Sequence, residues 1–93
     1  MYDRTRYDDV PSHLLDGLER YGEHGIRTGR FLQSVLENNL VETIVRADTE
    51  SRVALLSLVR FVWNEMPAAS VGSPAKVEEW IKTPGGRGDN ADD

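Results

Sequence analysis

The sequence contains no cysteine. Disulfide frameworks, thiolate zinc sites and cysteine nucleophiles are thereby excluded. No apolar run approaches the roughly 20 residues needed to span a bilayer. Residues 1–9 are polar and charged and lack the apolar centre of a signal peptide. No membrane association and a cytoplasmic location are therefore expected. Positive charge is also scarce: 11 basic residues face 16 acidic ones, for a formal charge of -5. An acidic chain gains nothing from counterion release on DNA or RNA, which disfavours bulk nucleic-acid binding. Histidine occurs only at His13 and His24, a spacing that does not match the three- or four-residue interval of helical metal pairs. The serines at 12, 34, 51, 57, 70 and 73 lie in no nucleophile elbow, and the acidic residues are scattered. No catalytic constellation can be assembled by residue type, so neither enzymatic activity nor a cofactor is expected.

What is present suits one small helical domain. Ninety-three residues allow a single core. A chain this short buries only roughly 60% of the surface its unfolded form exposes. Hydrophobic residues make up 39% of it, a low share for a globular domain. A second copy would bury more apolar surface, so a homo-oligomer is expected. Acidic faces could also meet a basic protein partner.

Residues 1–10 read as a flexible arm and 11–82 as the helical domain. Pro11 suits a first helical turn, and Leu14, Leu15, Leu18 and Tyr21 recur at one-face spacing. Gly17 weakens this helix and is justified only by close packing. Gly22 and Gly25 end it. Phe31, Leu32, Val35 and Leu36 form the stripe of a second helix. Asn38-Asn39 marks a break, or else faces solvent within one continuous helix. Leu40, Val41, Ile44 and Val45 give a third stripe. Asp48 or Thr49 caps the longest helix, whose main face is Val53, Leu56, Val59, Trp63 and Met66. Leu55, Leu58 and Val62 widen that face enough to suggest burial on two sides. Pro67 stops it. Ser73-Pro74 starts a last helix carrying Val77, Trp80 and Ile81. Residues 83–93 hold no apolar side chain besides Pro84 and Ala91 and read as a disordered acidic tail. The expected fold is all-α: a compact bundle of four or five short helices with disordered N- and C-terminal tails.

Residues 24–32, His-Gly-Ile-Arg-Thr-Gly-Arg-Phe-Leu, carry the one arrangement that could bind something. With Thr28 as cap, the N–H groups of Gly29, Arg30 and Phe31 lie in the first turn of the second helix, where the dipole attracts phosphate or carboxylate. Arg27 and Arg30 could add bidentate contacts, and His24 a further donor. Arg46 could join them, or pair with Asp48. The segment lacks the spacing and lysine of a P-loop, and no strand precedes it. A plain capped turn between helices has the same composition. Arg87-Gly88-Asp89 spells an adhesion tripeptide that chance accounts for in such a tail.

Several runs are familiar together. Residues 11–21 (Pro-Ser-His-Leu-Leu-Asp-Gly-Leu-Glu-Arg-Tyr), 24–40, Arg46-Ala47-Asp48, Trp63-Asn64-Glu65-Met66-Pro67 and Gly72-Ser73-Pro74 resemble small proteins of tailed bacteriophages and prophages. Members of that group often carry proline where this chain has Arg27 and a small residue where it has Arg30. His24, Gly25, Thr28, Gly29 and Phe31 follow the group's pattern. The resemblance implies a host bacterial cytoplasm and a non-catalytic protein that counters host defence. One form of that function is sequestration of a small phosphorylated signalling nucleotide at His24, Arg27, Thr28, Gly29, Arg30 and Arg46. The other is a protein–protein inhibitor or adaptor that holds a host or phage protein without any small ligand.

Overall fold

Local chemistry sets most of the helix boundaries. The computed structural model describes residues 2–83, which are all-α. Helix α1 (Ser12–His24) follows Pro11 and ends at Gly25, whose left-handed backbone (φ 68°, ψ 22°) lets its N–H reach the carbonyl of Tyr21 at 2.8 Å. Helix α2 (Arg30–Leu36) ends as Asn38 turns left-handed at φ 61°. Asn39 then caps α3 (Leu40–Arg46) by accepting from the Glu42 N–H at 3.2 Å. The two asparagines therefore break the chain into separate helices. Asp48 caps α4 (Thr49–Val53) through the Ser51 N–H at 2.7 Å, which holds its carboxyl below the usual range. Helix α5 (Leu55–Glu65) stops before Pro67, a 3-10 turn occupies Ala68–Ser70, and Ser73 caps α6 (Pro74–Lys82).

The described residues thus hold six α-helices where four or five are expected. The additional one arises because the longest predicted helix splits at Ala54. No glycine or proline marks that joint. The bend turns Ser51 and Ala54 into the interior and leaves Val53 and Leu56 in water. The predicted main face of this segment is corrected accordingly: Leu58, Phe61 and Val62 are the residues buried on α5.

One core joins these elements. It unites Leu14, Leu15, Leu18 and Tyr21 of α1 with Leu32, Val35 and Leu36 of α2, the buried face of α5, and Val77 and Trp80 of α6. Two buried polar links fix how the helices meet. Tyr21 Oη donates to the Ser70 carbonyl at 2.6 Å, and Trp80 Nε1 donates to the carbonyls of Tyr21 and Gly22 at 3.0 and 3.1 Å. Each satisfies a polar group whose burial would otherwise be costly.

The segment expected as a flexible arm is packed instead. Tyr7 and Val10 are buried in the core, and Tyr7 stacks edge-on against Phe61. Two turns fold the segment back, with N–H to carbonyl bonds from Tyr7 to Arg4 and from Val10 to Tyr7, both 3.0 Å. Arg4 then reaches Asp16 at 2.8 Å and Glu19 at 2.9 Å on α1. Isolated aromatics among charges carry no periodicity; the stretch folds inward because Tyr7 packs against Phe61 and Arg4 pairs with α1. Of the acidic tail expected from 83 onward, only Thr83 lies within the described residues. Arg87-Gly88-Asp89 lies outside them.

Burial pushes the Tyr21 hydroxyl well above the ordinary tyrosine range, and the carboxylates of Glu37 and Glu78 and the Tyr2 hydroxyl add to the shift. A raised folded value means stability that is complete below the unfolded tyrosine pKa of about 10 and lost above it, because the unfolded chain releases the proton first. Urea unfolding midpoints should therefore hold steady between neutrality and about pH 10 and fall beyond it. Tyr21→Phe should flatten that fall. An unchanged alkaline slope in Tyr21→Phe would show that another group controls it.

Candidate functional site

The chain leaves α1 at Gly25, and the irregular segment 25–29 returns beside α1 before α2 begins. Thr28 does not cap α2. The cap is Gly29, in extended geometry with no side-chain bond, and the Thr28 hydroxyl instead donates to the Gly29 carbonyl at 3.1 Å. The reason is register: the helix begins at Arg30, so Thr28 stands one residue too early to reach its free N–H groups. At seven residues, α2 also has little dipole to offer an anion.

Arg27 turns away from the loop. Its guanidinium meets Glu78 of α6 through two bonds of 2.8 and 3.1 Å and approaches Gln33 Oε1 at 3.4 Å. The pairing holds the Glu78 carboxyl below its usual range and compensates the arginine charge. Arg46 is likewise paired, Nε to Glu42 Oε1 at 2.8 Å, and does not bond Asp48. His24 is exposed at the end of α1 and does not line the cavity described next.

That cavity, about 370 Å³, lies between α1 and α2. Its walls come from Leu14, Phe31 and Leu32, with Ile26 at the loop. His13, Arg20 and Arg30 ring it, and Arg27, Thr28 and Gly29 close one side. Gly17 forms part of its floor. A Cβ there would stand 3.3 Å from Leu32 Cδ1, so the glycine permits the close approach of α2 that the helix otherwise gives no reason for. Arg20 and Arg30 form no ion pair among the described residues. The structure thus gathers four of the six predicted residues, Arg27, Thr28, Gly29 and Arg30, around one space and leaves His24 outside it. Arg46 lines a separate polar pocket of about 220 Å³ that shares Arg30 as a wall.

The residues missed by sequence reasoning are His13, Gly17 and Arg20. Their spacing of four and then three places them on one stripe of α1. The stripe was legible, but its partner, the return of residues 26–29 across it, was not.

Chemically the cavity combines an apolar lining with two uncompensated guanidinium groups. Its volume falls within the usual ~300–1,000 Å³ range of small-ligand sites. Planar guanidinium suits phosphate or carboxylate, and the apolar walls suit a ring. Among the described residues no group of three or more His, Asp or Glu side chains is arranged to hold a metal, and no helix is long and apolar enough to cross a membrane. No protein-family model, curated protein or solved structure matches this chain.

Proposed function

We propose that this is a non-catalytic, phage-encoded protein that counters host antiviral defence by sequestering a small phosphorylated nucleotide in the α1–α2 cavity. One observation carries the reading: in a chain of net charge -5, Arg20 and Arg30 stand without carboxylate partners at the mouth of an apolar cavity of nucleotide size. The base would lie against Phe31, Leu14 and Leu32, and the phosphates would meet Arg20 and Arg30, with His13 as a further donor. Arg27 is already engaged by Glu78 and would act chiefly as a strut for the loop. Binding alone suffices for sequestration, which needs no reacting group.

The test is thermal unfolding of the full chain against a panel of linear and cyclic nucleotides and inorganic phosphate. A ligand at a hundred times its Kd adds about 2.7 kcal/mol of stability, a rise on the order of 10 °C for a domain of this size. Arg20→Ala/Arg30→Ala should abolish that rise while leaving the unliganded melting temperature within about 3 °C of the parent, since both side chains are exposed. No shift across the panel would sink the sequestration reading. In that case a stable complex recovered from host lysate would favour the alternative, a protein inhibitor or adaptor. That alternative draws its support from the apolar surface left open on α3 and α5.

A further inference from the structure

Helix α3 turns its apolar side away from the core. Thr43 is its only buried residue, and it faces α2, its Oγ1 3.1 Å from Ser34 Oγ and donating to the Asn39 carbonyl at 2.8 Å. Leu40, Val41 and Val45 leave 69%, 69% and 68% of their surface in water, and Ile44 about half. Their positions form one continuous ridge along the outer side of the helix. Beside the ridge, Leu40 and Thr43 share with Leu55, Val59 and Trp63 a groove of about 100 Å³. Leu56, 71% exposed, and half-exposed Trp63 extend the apolar surface along α5.

These exposed side chains leave on the order of 600 Å² of apolar surface in water, the upper end of the largest patch on a typical monomer. The same area is most of the ~800 Å² that each partner brings to a standard interface. We propose that the α3–α5 face is covered by the same face of a second copy of this chain. Ridge and groove lie side by side, so a two-fold axis can seat the ridge of each copy in the groove of the other, as an isologous interface requires. On α3, Glu42 and Arg46 pair with each other at 2.8 Å, so these two side chains bring no net charge to the contact between copies. None of the apolar residues of this face lines the α1–α2 cavity, so the inference stands apart from the ligand reading.

The experiment is native mass spectrometry and light scattering of the full chain over a range of concentrations. The expected mass is twice that of the monomer, or a larger assembly built on this dimer. Val41→Glu/Val45→Glu should reduce it to a monomer with unchanged helical circular dichroism, since both side chains already stand in water. Val53→Glu is the control. Val53 is 83% exposed but lines a different cavity, with residues 8–12, and its variant should keep the assembly. Should the double variant lose helicity, Leu56→Glu on α5 repeats the test. A parent protein that stays monomeric at every concentration, or an assembly untouched by these face variants, overturns the proposal. A monomer that instead captures a different protein through this face overturns it too.

Discussion

Phe61→Ala is expected to lower the free energy of unfolding by about 3–5 kcal/mol, a large part of the ~5–15 kcal/mol that holds a typical domain together. Phe61 is fully buried at the centre of α5. It touches the Tyr7 ring at a centroid distance of 5.1 Å, nearly perpendicular, and the Tyr2 ring at 6.0 Å. Truncation removes the ring itself and also the wall against which the N-terminal segment folds. The cavity cannot collapse easily, because Leu58 and Val62 on the same face are held by other helices. Urea unfolding followed by circular dichroism measures the loss. Tyr7→Ala should be non-additive with it by about 0.5–1.5 kcal/mol, the range for an edge-on aromatic pair. A single-variant loss under about 1 kcal/mol would mean that the N-terminal segment does not pack as described.

Trp80→Ala should cost a similar ~3–5 kcal/mol, by a different route. The indole is the chief buried side chain of α6, and its Nε1 serves two carbonyls at the end of α1. Alanine leaves a cavity and strips both carbonyls of that donor. Trp80→Phe retains much of the volume and loses the hydrogen bonds, so it should cost about 1–3 kcal/mol. The gap between the two variants separates packing from hydrogen bonding. Equal losses would show that the carbonyls, not the ring, dominate. Amide hydrogen exchange should show α6 opening first in both variants, because Trp80 and Val77 are its only buried residues.

Much of the helix punctuation was legible in the sequence because it is written in short-range chemistry. Gly25, the Asn38-Asn39 pair, Asp48 and Ser73-Pro74 act on backbone groups within a few residues of themselves. Thr28 shows the limit of such reading, since a cap one residue out of register satisfies nothing. The candidate site was half legible. The loop residues Arg27 to Arg30 stood out by composition, whereas His13 and Arg20 were ordinary members of a helix until the loop returned over them. Arg27 finds its carboxylate in Glu78, 51 residues away, which no local pattern reveals, whereas Arg46, for which pairing with Asp48 was one reading, pairs instead with Glu42 one helical turn back.

By itself the sequence determined the helical class, where most helices begin and end, and the absence of thiol chemistry. These follow from backbone sterics, capping groups and composition, none of which requires knowing what lies far along the chain. The tertiary structure alone decided which apolar stripes are buried. The stripe of α3 and the Leu56–Trp63 side of α5 have the same periodicity as those of α1 and α2, yet they face water. Periodicity specifies a face but not its partner, and a chain this small has too few elements to cover every face it makes. The same physics drew Tyr7 and Val10 inward and set Arg20 beside Arg30, since only packing brings distant residues to one place.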